Sequence, residues 1–216
     1  MRDIAIYGAG GFGKEVACMI NNKINTADNK QWNVIGFFDD GKPVGMQISH
    51  IGKVLGGLET LNNWPALLCV AFGIGNSENI RRIVEHITNN NIEFPNLIHP
   101  SVDFADIESV KMGRGNIITR NVTFSVDVTI GDFNQFNSLS ALAHDVVVGS
   151  YNVFMPLARI SGETHIGDNN FFGINAITLQ QVKIGNNTRI GANSVVMTKT
   201  KDGCLYMGNP AMRVKI

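Results

Sequence analysis

The sequence has few cysteines, no excess of either charge and no long apolar run. Its three cysteines, Cys18, Cys69 and Cys204, are scattered and odd in number, which excludes a disulfide framework and favours a reducing compartment. Eighteen basic and eighteen acidic residues cancel, so no electrostatic surface for nucleic acid or an anionic membrane is expected. Glycines interrupt the apolar run at the N-terminus, which is too short for a signal peptide. No stretch is long and apolar enough to span a bilayer. These absences predict a soluble cytoplasmic protein.

Residues 1–95 alternate segments with strand and helix patterns. Strand patterns occupy 3–7, 34–40 and 66–76, and helical patterns occupy 14–22 and 78–90. Strands that alternate with helices favour a parallel sheet with covering helices, so we predict a small Rossmann-like domain with about three strands. The pattern stops at a proline-containing junction, 94–101.

A glycine-rich loop, GAGGFG, follows the first predicted strand and precedes the first helix. Gly8, Gly10 and Gly13 have the G-x-G-x-x-G spacing that lets backbone N–H groups meet a pyrophosphate at a helix N-terminus. A dinucleotide site needs a fuller sheet and an acid about twenty residues on, whereas Asp39 and Asp40 come later. We therefore favour a nucleotide-diphosphate sugar, with Asp39 or Asp40 on its base or ribose; helix capping is the equal alternative for both acids. The candidate substrate-binding residues are Gly8, Gly10, Gly11, Phe12, Gly13, Asp39 and Asp40.

A six-residue period runs through the rest of the chain. Apolar residues recur at every sixth position from 130 to 196, interrupted only by Thr178, and the residue two places earlier in each hexad is small or short. Neither 3.6 nor 2 divides this period, which is typical of a hexapeptide β-helix with its large apolar side chains inside. This inward series comprises Ile130, Phe136, Leu142, Val148, Phe154, Ile160, Ile166, Phe172, Ile184, Ile190 and Val196.

Glycine recurs at every eighteenth position from Gly113 to Gly185. Eighteen residues are three hexads, so we predict coils with three flat faces and one corner marked by a glycine of positive φ. Residues eighteen apart should then lie above one another, separated by roughly 4.8 Å.

His144 and Asp145 interrupt an otherwise small and apolar stretch. His144 is two places past the inward Leu142, so it should face outward near a corner, with Gly162 directly above it in the next coil. Asp145 is expected to hold one imidazole nitrogen, so that the other accepts a proton. This arrangement would place a base and a backbone N–H donor within reach of one substrate.

The hexad run, the His-Asp pair and the ending YMGNPAMRV resemble the left-handed β-helix acyltransferases that use acetyl-CoA. The start IYGAGGFGKEV, with FFDD and GIGNSENIRR after it, narrows the resemblance to the PglD-like nucleotide-sugar acetyltransferases. The resemblance covers essentially the whole chain. It implies a Rossmann-like nucleotide-sugar-binding domain at 1–95, a left-handed parallel β-helix at 96–205, and a tail near the CoA site at 206–216.

The resemblance also implies an activity. This activity is the transfer of an acetyl group from acetyl-CoA to the 4-amino group of a nucleotide-linked deoxysugar in polysaccharide biosynthesis. The resemblance further implies a homotrimer whose active sites lie between neighbouring β-helices. O-acetyl transfer to a sialic-acid-type sugar remains an alternative, as does a non-catalytic binding scaffold, although the His144–Asp145 pair argues against the scaffold. A zinc carbonic anhydrase on the same prism would need three histidines, so no metal is expected. The nucleotide stays open among UDP, dTDP and GDP.

Residue roles follow from the same resemblance. His144 matches the catalytic base, Asp145 its acidic neighbour, and Asn137 a polar residue of the acceptor pocket. Gly162 matches the glycine whose N–H contacts the thioester carbonyl, and Ala192 stands where some relatives have a second glycine facing the cofactor.

Three cations near the C-terminus are candidates for the anionic tail of CoA, namely Lys199, Lys201 and Arg213. Two positions depart from the family pattern: Val153 stands where some relatives have a second active-site histidine, and Phe12 replaces a histidine of the glycine-rich loop. Both departures concern recognition of the acceptor rather than the base.

Overall fold

The computed structural model describes residues 1–26 and 30–214. The chain forms two compact units, Met1–Pro100 and Ser101–Ile216. The first contains an α/β sheet and the second is a parallel β-helix. The predicted fold class, a Rossmann-like α/β domain followed by a left-handed parallel β-helix of hexapeptide repeats, is confirmed.

In residues 1–26 and 30–100, the first unit has a mainly parallel sheet with three α-helices. Six strands pair in the order β3-β4-β2-β1-β5-β6, and only β3 and β4 are antiparallel. The elements in chain order are β1 (Arg2–Tyr7), α1 (Gly11–Met19), a π-helical turn (Ile20–Ile24), β2 (Trp32–Phe38), β3 (Gln47–Ile48), β4 (Gly52–Gly56), α2 (Leu58–Asn62), β5 (Leu68–Phe72), α3 (Ser77–Glu85), β6 (Ile92–Glu93) and β7 (Leu97–Ile98).

The central strand β1 determines where a ligand can approach. Its residues from Ile4 to Tyr7 are buried, because β2 and β5 pair with it on opposite sides. The strand order therefore reverses at β1, and the loops after β1 and β5 border the carboxyl edge of the sheet. Ligands of open α/β sheets usually bind at such a reversal.

The sheet has more strands than the sequence predicted. The expectation of about three strands is wrong, because β3, β4 and β6 complete a sheet of six. Each of these strands is short and lies at or next to a sheet edge, so its residues show no clear period-two alternation. The number of strands therefore no longer distinguishes a dinucleotide from a nucleotide sugar.

The second unit is built from two- and three-residue strands. The elements are β8 (Asp103–Phe104), a 3₁₀ turn (Ile107–Ser109), β9 (Lys111–Met112), β10 (Ile117–Ile118), β11 (Thr123–Phe124), β12 (Thr129–Ile130), β13 (Gln135–Phe136), β14 (Ala141–Leu142), β15 (Val147–Val148), β16 (Val153–Phe154), β17 (Arg159–Ile160), β18 (His165–Ile166), β19 (Phe171–Phe172), β20 (Ile177–Thr178), β21 (Lys183–Ile184), β22 (Arg189–Ile190), β23 (Val195–Val196), β24 (Leu205–Met207) and β25 (Met212–Val214). From β9 to β23 the strands stack in parallel with a register of eighteen residues, as where Thr123 pairs with Ala141 and Ala141 pairs with Arg159, whereas β24 and β25 pair antiparallel.

The core of the β-helix follows the six-residue period. Every residue of the inward series is buried, and so is Thr178, which interrupts it. The small residues two places earlier, from Val128 to Ser194, are buried as well. Phenylalanines in successive coils stack with ring centroids 4.7 Å apart, which matches the spacing between coils.

A ladder of buried asparagines supports one corner. The Oδ1 of Asn134 accepts a hydrogen bond from the backbone N–H of Asn152 at 2.8 Å and from its Nδ2 at 3.0 Å. Asn116 and Asn170 extend the same pattern below and above. The ladder satisfies polar groups that the coils bury, which otherwise would cost free energy.

Positive φ recurs at every sixth residue rather than at the eighteenth-position glycines. One non-glycine residue per corner, from Asn121 to Asn193, has φ between 53° and 68°. The eighteenth-position glycines do not have φ in this region, so their prediction as left-handed corners is wrong; they are Gly113, Gly131, Gly149, Gly167 and Gly185. A Cβ on Gly131 would lie 2.7 Å from the carbonyl oxygen of Gly149. Glycine is therefore required there because adjacent coils approach closely.

Candidate active site

His144 and Asp145 lie at the corner that follows β14. Leu142 ends the strand inside the core, Asp145 has a φ of 58°, and the side chains of His144 and Asp145 face outward, about half exposed. The Nδ1 of His144 is 2.8 Å from Oδ2 of Asp145. Because an ionised carboxylate only accepts hydrogen bonds, Nδ1 carries the proton of this hydrogen bond, which leaves Nε2 as the ring atom that can act as an acceptor.

Gly162 lies directly above His144. The N–H of Glu163 donates to the His144 carbonyl at 2.9 Å, and the N–H of Gln181 donates to the Gly162 carbonyl at 3.0 Å. These bonds stack His144, Gly162 and Gln180 in one column. A Cβ on Gly162 would lie 2.6 Å from both Cε1 and Nε2 of His144. The imidazole therefore occupies the space that a side chain at position 162 would need.

An open cavity of about 600 Å³ lies in front of this column. Within the part of the chain that the structure describes, the N–H of Gly162 makes no hydrogen bond. A base with a lone pair and a backbone donor thus border one space, as acyl transfer requires. The cavity is lined by Ala143, His144, Ser161, Gly162, Leu179 and Gln180.

Asn137 and Ala192 lie on a different corner from His144. Asn137 follows β13 and Ala192 follows β22, which are strands of another face of the prism. The Nδ2 of Asn137 donates to the carbonyl of Phe154 at 2.9 Å. Within one chain, the structure does not bring either residue to the cavity of His144 and Gly162.

The three predicted CoA-tail cations lie at the end of the β-helix. Lys199, Lys201 and Arg213 are exposed. Arg213 is in β25 and pairs with Tyr206, whose hydroxyl accepts a hydrogen bond from the N–H of Lys201 at 2.9 Å. Over the described residues, none of the three cations forms an ion pair. They do not line the cavity at His144.

The glycine-rich loop joins β1 to α1. Gly8 has a φ of +103°, and a Cβ there would lie 2.7 Å from Cγ1 of Ile74. A Cβ on Gly13 would collide with the carbonyl oxygen of Gly8. Gly10 and Gly11 have open space around them, and Gly10 is the N-cap of α1 without a side-chain cap. The N-terminus of α1 is therefore open to an anionic group.

Asp39 ties the end of β2 to the glycine-rich loop. Its Oδ2 accepts a hydrogen bond from the N–H of Ala9 at 2.8 Å, and its Oδ1 accepts one from the N–H of Gly41 at 3.0 Å. Each oxygen retains a second lone pair. Asp39 thus shapes the loop and still faces the carboxyl edge of the sheet.

Asp40 has a structural role. Its Oδ1 accepts a hydrogen bond from the N–H of Leu58 at the start of α2 at 2.8 Å, and its Oδ2 accepts one from the Tyr7 hydroxyl at 2.5 Å. Burial, helped by this hydrogen bond to a carboxylate, raises the pKa of Tyr7 well above its usual value. Of the two alternatives for Asp40, helix capping is the one that its contacts show.

A second cavity, of about 210 Å³, lies at this edge of the sheet. Gly8, Asp39 and Asp40 line it, whereas Gly10, Gly11, Phe12 and Gly13 do not. Its other lining residues are Tyr7, Gly41, Ile74, Asn79, Arg82 and Ile83.

Sequence reasoning missed the cation of this second cavity. Arg82 has no carboxylate partner among the described residues, and its guanidinium donates to Oδ1 of Asn79 at 3.4 Å. Asn79 and Arg82 both lie in the segment 78–90, for which the sequence predicted only an amphipathic helix. Their three-residue spacing, which places them on one face of α3, is the signal that could have found them.

Two family models match the chain: the PglD N-terminal domain matches residues 3–87, and the bacterial transferase hexapeptide (six repeats) matches residues 163–197. The acetyltransferase domain of PglB from Neisseria gonorrhoeae, solved with acetyl coenzyme A, is 26% identical with a TM-score of 0.85, and the match covers 99% of each chain. WeeI from Acinetobacter baumannii is 27% identical with a TM-score of 0.86, and the match covers 99% of this chain and 100% of that one. Over both family models and over the whole fold, the chain is therefore similar to the PglD-like sugar acetyltransferases.

The predicted resemblance and the predicted acetyltransferase class are confirmed. A perosamine N-acetyltransferase from Caulobacter crescentus, 22% identical with a TM-score of 0.81 over 100% of this chain and 98% of that one, has the same fold. No curated protein matches the sequence.

Two features of the described residues concern metals and membranes. In residues 1–26 and 30–214, no group of three or more His, Cys, Asp or Glu is arranged to hold a metal ion. None of the helices in the same ranges is both long and apolar enough to cross a membrane.

Proposed function

We propose that the protein is an acetyl-CoA-dependent N-acetyltransferase acting on the 4-amino group of a nucleotide-linked deoxysugar in the cytoplasm. The observation that carries this proposal is the contact between the His144 imidazole and Gly162, with Nδ1 held by Asp145. The likeness to the PglB acetyltransferase domain, solved with acetyl coenzyme A, supports acetyl-CoA as the donor. The sugar and the position of its amine rest on the family resemblance.

The chemistry follows from the column of His144 and Gly162. Nε2 of His144 removes a proton from the sugar amine while the amine nitrogen attacks the thioester carbonyl. Such a base contributes about 10²–10⁴ in rate. The N–H of Gly162 donates to the oxygen as it becomes negative, an interaction worth roughly 3–4 kcal/mol in other acyl transfers. The carbon–sulfur bond then breaks, and the proton held by His144 passes to the CoA thiolate.

Asp145 would act through His144. Its carboxylate fixes the Nδ1–H tautomer and stabilises the imidazolium that forms during attack. Direct transfer would need no acyl-enzyme, because the sugar amine and the thioester would meet in the cavity at His144. Asn137 and Ala192 would join this site only from a neighbouring chain, since they lie on another corner of their own prism.

We propose that three chains assemble, with the cavity at His144 facing a neighbour. Large apolar side chains are exposed along the β-helix, including Leu139, Leu157, Ile174 and Leu179, which are between 36% and 48% exposed. Burial of such side chains between subunits is favourable. Lys199, Lys201 and Arg213 supply positive charge for the phosphates of CoA. Sedimentation velocity would measure the assembly, and a monomer at micromolar concentration would contradict it.

The nucleotide-sugar would bind at the carboxyl edge of the N-terminal sheet. The open N-terminus of α1 suits a diphosphate, and Arg82 adds a cation to the cavity that Asp39 lines. A free lone pair on each Asp39 oxygen can accept a hydrogen bond from a base or ribose hydroxyl.

Thiol release from acetyl-CoA tests the proposal. UDP-, dTDP- and GDP-linked 4-amino sugars are offered in turn, with the corresponding 4-hydroxy sugars as controls. We expect release with one amino sugar, and a loss of about 10²–10⁴ in turnover for His144→Ala. Release with the hydroxy sugars alone would favour O-acetyl transfer. If none of the acceptors causes thiol release, or if His144→Ala is fully active, the proposal is overturned.

A further inference from the structure

Gln180 occupies the third level of the column that contains His144 and Gly162. The hydrogen bond from the Gln181 N–H to the Gly162 carbonyl places residue 180 one coil above Gly162, as residue 144 lies one coil below. Successive levels are separated by roughly 4.8 Å. Along the column, Gly162 is thus flanked by His144 on one side and by Gln180 on the other.

The carboxamide of Gln180 is available to a ligand. It is exposed and lines the same cavity as His144 and Gly162. Across residues 1–26 and 30–214, its side chain makes no hydrogen bond, whereas the adjacent Gln181 donates to Oε2 of Glu163 at 3.0 Å and lines a different cavity. A carboxamide carries two N–H donors. Two glutamines that are neighbours in sequence therefore face different spaces, and of the two only Gln180 lines the cavity of His144 and Gly162.

We propose that Gln180 is a second hydrogen-bond donor to the thioester carbonyl oxygen, beside the N–H of Gly162. This inference rests on the proposed function. The amine attacks from the side of His144, the carbon–oxygen double bond becomes a single bond with negative charge on oxygen, and Nε2–H of Gln180 donates to that oxygen from the opposite side. The double bond re-forms as the carbon–sulfur bond breaks and the thiolate leaves. Donors aimed at a developing oxyanion stabilise the transition state more than the ground state.

The test compares Gln180→Leu and Gln180→Glu with the wild type. We expect turnover to fall on the order of 100-fold in Gln180→Leu, because one oxyanion donor is removed. Gln180→Glu keeps the shape but places an acceptor and a negative charge beside the oxyanion, so its turnover should fall further. Gln181→Asn is the matched control, since asparagine tolerates the positive φ of position 181, and its turnover should stay within about twofold of the wild type.

Binding of two cofactors separates a carbonyl contact from a general loss of shape. S-ethyl-CoA has a methylene where acetyl-CoA has the carbonyl. Calorimetry should show acetyl-CoA bound about 3- to 10-fold more weakly by Gln180→Leu, and S-ethyl-CoA bound as by the wild type. Wild-type turnover in both Gln180 variants, or an equal loss of affinity for the two cofactors, would overturn the inference.

Parallel measurement of His144→Ala distinguishes this failure from failure of the proposed function. If His144→Ala is inactive while the Gln180 variants are fully active, only the role of Gln180 is refuted. If His144→Ala is fully active, the proposed function itself fails. Melting temperatures of all variants check that each is folded, which is expected because Gln180 lies on the surface.

Discussion

The imidazole of His144 lies against the backbone of Gly162, eighteen residues further along the chain and one coil higher. A Cβ at position 162 would be 2.6 Å from two ring atoms of that imidazole. The absence of a side chain at Gly162 leaves room for the ring, and the N–H of the same residue is the proposed donor beside it. This relationship makes the site sensitive to a single methyl group.

Gly162→Ala should therefore displace the imidazole while retaining the backbone N–H. A displacement of about 1 Å at a reacting group costs on the order of 100-fold in rate. We expect kcat/KM for acetyl-CoA to fall by that factor, as measured by thiol release at saturating amino sugar.

A double-mutant cycle checks the physical reason for that loss. In a His144→Ala background the added methyl meets no ring, so Gly162→Ala should lower the melting temperature less there than in the wild type. Equal decreases in both backgrounds would mean that the methyl clashes with something other than His144.

Asp145→Asn should reduce activity without disturbing the corner. Asparagine tolerates the positive φ of this position, but its Nδ2–H would donate to Nδ1 of His144 and shift the ring proton to Nε2. The base would then hold the wrong tautomer, and we expect kcat to fall on the order of 10²–10⁴-fold.

Asp127→Asn is the matched control for this substitution. Asp127 lies one coil below Asp145 at the same kind of corner, is exposed, and has a φ of 57°. Its substitution should leave kcat unchanged. A comparable loss of kcat in Asp127→Asn would assign the effect to the corner rather than to the histidine.

The six-residue period made the β-helix predictable, and with it the column that contains His144 and Gly162. Counting eighteen residues from His144 leads to Gly162, because parallel coils keep a constant register. The same count reaches Gln180, one coil above Gly162. Burial of the inward series follows from the same arithmetic, and even Thr178 obeys it.

Other features depend on contacts that no local pattern carries. Positive φ falls on residues such as Leu139 and Tyr151, which give no sign of it in sequence, because coil closure imposes the conformation. Asp40 caps α2 through a hydrogen bond across eighteen residues, so a helix cap and a ligand contact look alike in the sequence. Asn137 came from resemblance alone, and only the fold places it on another corner.

Ionisation of Tyr7 should lower the free energy of unfolding at high pH. Burial raises the pKa of Tyr7 in the folded state above its usual value of 10.0, so the folded chain keeps a proton that the unfolded chain loses. The stabilisation is fully present below pH 10 and is lost as pH rises beyond it, at up to about 1.4 kcal/mol per pH unit. Urea unfolding between pH 9 and about 11 should therefore show a smaller decrease in Tyr7→Phe than in the wild type, and equal slopes would contradict this.

Substitution of Asp39 should mainly affect substrate binding, and substitution of Asp40 should mainly affect the free energy of unfolding. Asp39→Asn keeps only one acceptor oxygen, so either Ala9 or Gly41 loses its hydrogen bond and the loop at the nucleotide cavity shifts. We expect KM for the nucleotide amino sugar to rise about tenfold, as a lost hydrogen bond of this kind predicts. KM for acetyl-CoA should not change, because that substrate is proposed to bind at the β-helix.

Asp40→Asn is the comparison, since Asp40 caps α2 and accepts from Tyr7. It should lower the free energy of unfolding by about 1 kcal/mol and change the KM values less than Asp39→Asn does. Steady-state kinetics with each substrate varied, together with urea unfolding, measures both effects. If Asp39→Asn raises the two KM values equally, the carboxylate supports the whole fold rather than the nucleotide cavity, and its assignment to sugar binding is refuted.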